Sequence, residues 1–274
     1  MKGKSVQTMR HAITKLVQLS AVGITVLAAF STPVAAQPPG LVVSVAASVN
    51  DALEEIAGLY RATTGVTVAV NAGGSNMLAR QIVEGAKAGL FLSADETQMD
   101  VVEKAGRVVA GTRTRLLSNE LAIVAPAEST VTLANVLEGR IARLAMGEPA
   151  AVPAGVYGRA WLEHEKAWSR LASKVIPFPT VRAVLSAVEA GRVDAGIVYR
   201  TDANTSNVRV VANIAANEHP YLSITYPVAV IQGPAEADAK RFLEFLKGPA
   251  ARAVFDKRGF GRPPALSERK RVEG

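Results

Sequence analysis

The sequence predicts an α/β fold of two lobes, each a mixed sheet flanked by helices, with a ligand cleft between the lobes. Short apolar runs alternate with segments of helical periodicity along most of the chain, the pattern of strands alternating with helices. These units are too many for one small sheet, and 274 residues are enough to bury two cores. We expect one lobe from residues 37–120 and 228–274 and the other from residues 121–227, with strands crossing between them.

The clearest unit of this pattern is Thr180–Tyr199. Apolar residues at positions 181, 184, 185 and 188 form one stripe of a helix, which Gly191 is expected to stop. Ala195–Val198 is a short apolar run, typical of a strand buried on both faces of a parallel sheet. The unit therefore places a helix N-terminus near Val181 and the phenol of Tyr199 at the carboxyl end of a strand. Open α/β sheets bind ligands at that end, and helix N-termini favour anions.

Two earlier segments repeat this arrangement with a serine. The first apolar strand leads to Ser48, which with Asp51 resembles a weak form of the capping box ahead of a helix. The second strand, Val66–Val70, leads through two glycines to Ser75 and to a helix expected over Met77–Val83. Each serine is therefore expected near the N-terminus of a helix.

A third loop of this kind contains Ala154. Pro153 is expected to break the preceding pattern, and a helix is expected from Gly155 to Lys166. The other expected strands lie at 41–46, 90–92, 119–125, 141–146, 208–212 and 222–231, and the other expected helices at 98–105, 133–138, 235–246 and 249–257.

The first 36 residues resemble a secretory signal peptide. Basic residues precede the apolar run Leu16–Phe30 and small residues follow it, so we expect cleavage after Ala36 and export to a periplasm. The net charge of +7 falls to +3 without this segment, and nucleic-acid binding, which needs a concentrated basic face, is not expected. The chain has no cysteine, which excludes disulfides and a lipid-modified cysteine anchor.

The sequence offers little for catalysis or for a metal centre. The expected mature chain contains two histidines, His164 and His219. Glutamates flank His164, but adjacent residues on a helix do not face each other, so the pattern favours a solvated helix face over a metal site. His219 is interpreted as a loop residue. There is no nucleophile elbow, P-loop or zinc-spaced cluster, and we expect no enzymatic activity.

The predicted site offers small hydroxyl residues and helix N-termini instead. No basic residue stands nearest to the expected ligand position, and Arg80 and Arg182 lie just inside their helices. Neutral donors that converge in a dry cleft suit an oxyanion, since each hydrogen bond to a charged acceptor contributes about 1.5–3 kcal/mol. Neutral donors also allow release, because no buried cation is left unpaired.

Six segments carry a family resemblance when they are taken together and in order. They are AAS at 46–48, LARQI at 78–82, FLSAD at 91–95, VPAGVY at 152–157, GIVY at 196–199 and YPVAV at 226–230. In this order they resemble the motifs of periplasmic molybdate-binding proteins that serve ABC importers. The resemblance extends from Leu41 to about Phe260, which is most of the expected mature chain.

The resemblance implies the two-lobed fold of periplasmic binding proteins and a specific oxyanion site. It implies that the hydroxyls of Ser48, Ser75 and Tyr199 and backbone donors at Ala154 and Val181 hold molybdate, and we expect tungstate to bind as well. Molybdenum would be held only as this oxyanion, with no direct metal ligand and no cofactor. A monomer would then deliver the ion to the membrane permease of an ABC importer.

Three departures from the family pattern concern the selectivity of the site. They are Lys87-Ala88-Gly89, Gly73-Gly74 and Thr180, and none of them removes an expected ligand contact. Two alternatives stay open: a receptor for another tetrahedral oxyanion, and an enzyme or ligand-sensing regulator on the same fold. A regulator would need a DNA-binding domain, which we do not expect in an exported chain whose fold begins at residue 41. An enzyme would need a general base, which neither histidine motif supplies.

Overall fold

The computed structural model describes residues 40–204, 206–215 and 218–263. The predicted signal peptide lies outside these residues, as does the C-terminal tail beyond residue 263. Among the helices formed by these residues, none combines the length and the apolar character that a membrane span requires.

The strands form two five-stranded sheets. The first has the order β2 (Val68–Gly73), β1 (Leu41–Ala46), β3 (Leu90–Leu92), β10 (Thr225–Val230) and β4 (Thr114–Ser118). The second has the order β7 (Val175–Phe178), β6 (Leu144–Gly147), β8 (Ala195–Tyr199), β5 (Leu121–Pro126) and β9 (Val208–Ile214). The chain therefore crosses from the first sheet to the second after β4 and returns after β9.

Both sheets are mixed, as predicted. In the first sheet β1 runs parallel to β2 and β3, whereas β10 runs antiparallel to β3 and β4. In the second sheet β6 runs parallel to β7 and β8, whereas β5 runs antiparallel to β8 and β9. The strand that ends at Tyr199 is thus fully buried. The prediction that it lies in a parallel sheet is half correct, because one of its two neighbouring strands is antiparallel.

Helices flank these sheets. They are α1 (Asn50–Thr64), α2 (Ser75–Val83), α3 (Glu96–Lys104), α4 (Leu133–Leu137), α5 (Pro153–His164), α6 (Trp168–Leu171), α7 (Val181–Glu189), α8 (Arg200–Ala203), α9 (Glu236–Lys247) and α10 (Pro249–Lys257). In the first half α1 packs on β2 and α10, and in the second half α7 packs on β8 and β6. Each sheet therefore has its own apolar layer of helix and strand side chains.

The unit Thr180–Tyr199 has the predicted form. Its helix spans Val181–Glu189, with the side chain of Thr180 accepting a hydrogen bond from the N–H of Ala183. The chain then turns through Gly191, whose φ of +64° is the left-handed conformation that favours glycine. The helix ends where the sequence predicted because a capping hydroxyl and a glycine mark its two ends.

One predicted cap is wrong, and two predicted helix starts lie two residues too late. Ser48 caps no helix: it lies in a 3-10 turn, Ala47–Val49, and α1 begins at Asn50 without a side-chain cap. Helix α5, predicted from Gly155, begins at Pro153, where the missing N–H of proline costs nothing. The helix predicted from Met77 begins earlier, at Ser75.

Two strands and two short helices, α6 and α8, were not predicted from the sequence. Strands β4 and β7 lie at the edges of their sheets, and each has at most one buried residue. Edge strands bury few side chains, so their apolar alternation is weak, and Pro177 in β7 also lowers the strand signal. Helix α6 has only four residues, too few to show a helical period.

Candidate functional site

The structure brings all five predicted site residues to one small cavity between the two halves of the protein. They are Ser48, Ser75, Ala154, Val181 and Tyr199, and the cavity is also lined by Ala46, Ala47, Gly73, Gly74, Ala94, Val152, Pro153 and Thr180. Its volume is about 20 Å³, on a scale where one water molecule needs about 10–15 Å³. It has room for a small ion and not for an organic solute. None of these lining residues carries a charge.

Three helices begin at this cavity. Ser75 is the first residue of α2, Val181 is the first residue of α7, and Ala154 follows Pro153 at the start of α5. The first N–H groups of a helix have no acceptor within the helix, and the helix dipole places partial positive charge there. The cavity therefore collects N–H donors from three directions without using a charged side chain.

Gly74 marks a close approach between the two halves. A Cβ atom at residue 74 would lie 2.7 Å from the carbonyl oxygen of Pro179, just before α7 begins. Only a residue without a side chain lets the loop before Ser75 come this close to the loop before Val181. Gly74, the second glycine of the pair that departs from the family pattern, thus has a structural reason.

The hydroxyl of Ser75 has a defined polarity. Its oxygen accepts a hydrogen bond from the backbone N–H of Ala94 at 3.0 Å. Ser75 is 2% exposed, so water does not compete for this group. With one lone pair occupied by the Ala94 N–H, the hydroxyl hydrogen of Ser75 is the part available to a ligand.

The hydroxyl of Ser48 is oriented by a chain of buried hydrogen bonds that begins at Asn119. The Asn119 side-chain oxygen accepts from the N–H of Glu120 at 2.9 Å, which fixes its amide nitrogen as the donor. That nitrogen donates to Tyr226 at 3.1 Å and to Thr201 at 2.9 Å. We infer that the Tyr226 hydroxyl, already an acceptor, donates to the Ser48 oxygen 2.9 Å away. The Ser48 hydrogen remains free to donate into the cavity.

The sequence patterns indicate no role for Asn119 or Tyr226. Both are buried polar residues, and Tyr226 lies in an otherwise mostly apolar strand. A buried polar group needs a hydrogen-bonding partner, and this requirement was the only signal that could have identified them. Their partners could not be read from the sequence, since Tyr226 and Ser48 are 178 positions apart.

Tyr199 supplies the third hydroxyl, and this group has no hydrogen-bonding partner among the described residues. The side chain is 1% exposed and lines the cavity at the end of β8. Burial raises the pKa of the phenol well above its ordinary value of 10, so the group stays protonated and can donate. A buried unpaired hydroxyl costs about 1–3 kcal/mol, which an acceptor in the cavity would recover.

Arg182, which follows the cavity-lining Val181, is committed elsewhere. The guanidinium of Arg182 pairs with Asp51 at 3.0 Å and with the buried Asp202 at 2.8 Å. Desolvation raises the pKa of Asp202 to about 7, and the neighbouring Arg182 opposes this shift. Arg182 therefore acts as an ion-pair partner just inside α7, and the cavity itself presents only neutral donors, as predicted.

Most of the chain matches a protein-family model and relatives whose names state a ligand. Residues 41–261 match the family model described as bacterial extracellular solute-binding protein. The Molybdate-binding protein ModA of Escherichia coli is 38% identical over 230 residues, which cover 80% of this chain and 88% of that protein. The protein of the same name from Haemophilus influenzae is 34% identical, over 80% of this chain and 88% of the relative.

A solved structure agrees with these relatives. The periplasmic molybdate-binding protein of Azotobacter vinelandii superimposes with a TM-score of 0.73 and 25% identity, over 82% of this chain and 100% of that chain. The sulfate-binding protein SubI of Mycobacterium tuberculosis, at 16% identity and a TM-score of 0.69, shares the fold. The chain therefore belongs to the bacterial extracellular solute-binding proteins, and its relatives in that family include molybdate-binding proteins.

Proposed function

We propose that this protein captures molybdate in the cavity between its two halves and delivers the ion to an ABC importer. The observation that carries the proposal is the hydroxyl of Tyr199, buried without a partner beside two serine hydroxyls and three helix N-termini. An oxyanion would supply the acceptor that this phenol lacks. The resemblance to molybdate-binding relatives at 38% and 34% identity supports the choice of ion.

The donor set favours a fully ionised tetrahedral oxyanion. We propose that the hydroxyls of Ser48, Ser75 and Tyr199 and the N–H groups of Ala154 and Val181 make the contacts. A protonated oxyanion would leave its O–H without an acceptor in a buried site, at a cost of about 1–3 kcal/mol. Molybdate is fully ionised at neutral pH, and tungstate shares its charge and nearly its size, so both fit this proposal.

The cellular context follows from the same proposal. The N-terminal segment resembles a signal peptide, and the solved relative from Azotobacter vinelandii is described as periplasmic. We propose that the mature protein begins after Ala36, works in the periplasm as a monomer, and presents its closed form to a membrane permease. Its lobes would correspond to the two sheets, with helices α9 and α10 joining the first.

A second oxyanion is the main alternative, because the fold is shared with a sulfate-binding protein. The test is a thermal unfolding series of mature wild-type protein and of Tyr199→Phe, each with and without molybdate. A ligand that binds only the folded state stabilises it and so raises Tm. The stabilisation is about 2.7 kcal/mol when the ligand concentration is a hundred times Kd. We expect a clear rise for the wild type and a much smaller one for Tyr199→Phe. No rise with molybdate but a rise with sulfate would replace the ion and keep the receptor.

A further inference from the structure

Two histidines that lie far apart in the sequence meet on the surface of the second half of the protein. His164 is the last residue of α5, and His219 lies on the segment that leads from β9 to β10. Their ring centroids are 6.0 Å apart, with the ring planes nearly perpendicular at 89°. No other histidine lies in residues 40–204, 206–215 or 218–263. The sequence pattern favoured a solvated helix face for His164, since residues adjacent on a helix do not face each other, but Glu165 lies just beyond the last helical residue.

A carboxylate completes a group of three metal-ligating side chains. Glu165 caps the C-terminus of α5, and its Oε1 lies 3.3 Å from Nδ1 of His164. One ligand atom from each of His164, Glu165 and His219 lies within 4.8 Å of the other two. Bonds of about 2.0–2.2 Å in a tetrahedral zinc site place ligand atoms about 3.4 Å apart. The side chains must therefore close by about 1 Å, and His164, with 58% of its side chain exposed, is free to move.

Tyr221 contacts both imidazoles. Its ring stacks on His164 with centroids 4.5 Å apart and an angle of 24°, and its hydroxyl lies 3.2 Å from Nδ1 of His219. The Tyr221 hydroxyl can accept a hydrogen bond from Nδ1–H of His219, and in that tautomer Nε2 keeps the lone pair that binds a metal. The contact with Tyr221 thus orients His219 in the way that outer groups orient metal-binding histidines.

The local electrostatics also favour a cation. The C-terminus of a helix carries partial negative charge, and His164 and Glu165 lie at the end of α5. The start of the same helix lines the oxyanion cavity, and a helix of 12 residues is about 18 Å long. The histidine group is therefore separate from the cavity, and its charge preference is the opposite.

We propose that His164, Glu165 and His219 form a surface site for a late first-row divalent transition metal, with Zn²⁺ as the best-fitting ion. Two imidazoles and a carboxylate are ligands that Zn²⁺ accepts, and three protein ligands leave a fourth position for water. Calcium and magnesium prefer all-oxygen surroundings, which this group does not provide. A bound ion would join the end of α5 to the segment between β9 and β10, the segment on which the chain returns to the first sheet.

The test is calorimetric titration of tag-free, metal-stripped mature protein with zinc chloride. We expect one Zn²⁺ per chain. The Zn²⁺ affinity should fall at least about tenfold in His164→Ala and in His219→Ala, because even the loss of a group that only supports a metal ligand costs about that much. Glu163→Gln is the matched control, since this exposed carboxylate lies on the same helix but outside the group, and its affinity should equal that of the wild type.

The same samples separate this site from the oxyanion cavity. Molybdate titrations of the histidine variants should give the same result as those of the wild type. The zinc titration does not depend on which oxyanion the cavity binds. Two results would overturn the proposal: absence of one-to-one Zn²⁺ binding up to a concentration on the order of 1 mM, or unchanged Zn²⁺ affinity in the His164→Ala, His219→Ala double variant. Far-ultraviolet circular dichroism of each variant shows that the fold is intact.

Discussion

The hydroxyl oxygens of Ser48 and Tyr226 lie 2.9 Å apart, although 178 positions separate the two residues in the sequence. Tyr226 belongs to β10, which returns to the first sheet after the second is complete, and Ser48 follows β1. The phenol receives a hydrogen bond from Asn119 and so donates to Ser48. This buried hydrogen-bond network therefore fixes the direction of the Ser48 hydroxyl, which lines the cavity.

Tyr226→Phe should weaken molybdate binding without touching the cavity wall. Loss of a hydrogen bond of this kind costs about 0.5–1.5 kcal/mol, or roughly two- to tenfold in Kd. The decisive measurement is a double-mutant cycle with Ser48→Ala, by calorimetric titration. In the Ser48→Ala background, Tyr226→Phe should have no further effect on affinity, because no hydroxyl is left to orient. Simply additive losses would mean that Tyr226 does not act through Ser48.

The two serines should be similar in binding and in stability. Ser48→Ala and Ser75→Ala are each expected to weaken molybdate binding by about 1.5–3 kcal/mol, since each removes a donor to a charged acceptor. In the ligand-free protein Ser75→Ala also leaves the buried N–H of Ala94 without its acceptor, at a cost of about 1–3 kcal/mol. Ser48→Ala likewise leaves the buried Tyr226 hydroxyl without its acceptor, at a similar cost.

Urea unfolding of both ligand-free serine variants measures these costs. A Ser75→Ala variant as stable as the wild type would contradict the assigned partner of Ser75, and the same result for Ser48→Ala would contradict its contact with Tyr226. Unchanged molybdate affinity in both variants would remove the serines from the site.

The ion pair between Asp51 and Arg182 should slow the release of ligand. Asp51 is on α1, which packs on the first sheet, and Arg182 is on α7, which packs on the second. The pair is partly exposed, with Asp51 39% accessible, so it should contribute about 0.2–1 kcal/mol. Stopped-flow measurement on Asp51→Asn should show molybdate dissociating roughly 1.5- to 5-fold faster.

Glu55→Gln is the control for this variant. Glu55 is also on α1, but it pairs with Arg258 and Lys257 and not with α7. Its dissociation rate should equal that of the wild type. Equal acceleration in both variants would mean that a change in α1, and not the pair across the cleft, is the cause.

Asp95 should make stability fall as the pH rises from about 4 to about 6. Burial disfavours its charged form and raises its pKa from 3.8 to about 6, against hydrogen bonds from Gln98 and Ser93 that lower it. The folded state therefore binds this proton more tightly than the unfolded chain, and the stability gained at low pH is lost as the pH passes 6.

The Asp95→Asn variant tests this pH dependence. Asparagine can still accept the capping hydrogen bond from Gln98 but does not titrate. In urea unfolding of ligand-free protein, the stability of the wild type relative to this variant should decrease between pH 4 and pH 6. Glu54→Gln, which alters an exposed carboxylate, is the control. A constant difference between Asp95→Asn and the wild type would contradict the raised pKa.

Local patterns were enough to predict the parts of the fold that bury apolar residues. The helix Val181–Glu189 and the strand that ends at Tyr199 are confirmed because an apolar stripe, a glycine stop and a buried run each leave a sequence signal. The edge strands β4 and β7 were missed because solvent covers much of them and their side chains carry little pattern.

The meeting of the five residues at one cavity was predictable from the family resemblance and from loops that follow strands, whereas the hydrogen bonds between distant elements were not. All five proposed ligand contacts line the cavity. Ser48, however, was interpreted as a helix cap, since a serine three residues before an acid fits that pattern equally well. Its true partner, Tyr226, and the meeting of His164 with His219 depend on how the chain returns from the second sheet, which no local pattern encodes.

Calorimetric titration with four anions tests the central claim most directly. Mature protein is titrated at pH 7 and constant ionic strength with molybdate, tungstate, sulfate and phosphate. Molybdate and tungstate should bind alike, because a pocket of donors without an acceptor holds a fully ionised ion of their size. Sulfate should bind well below them, since its shorter bonds leave donors from the two halves out of reach. Phosphate should have the lowest affinity of the four anions or nearly the lowest. Its remaining proton finds no acceptor, which costs about 1–3 kcal/mol. Phosphate or sulfate binding as tightly as molybdate would contradict the donor-only pocket and the choice of ligand.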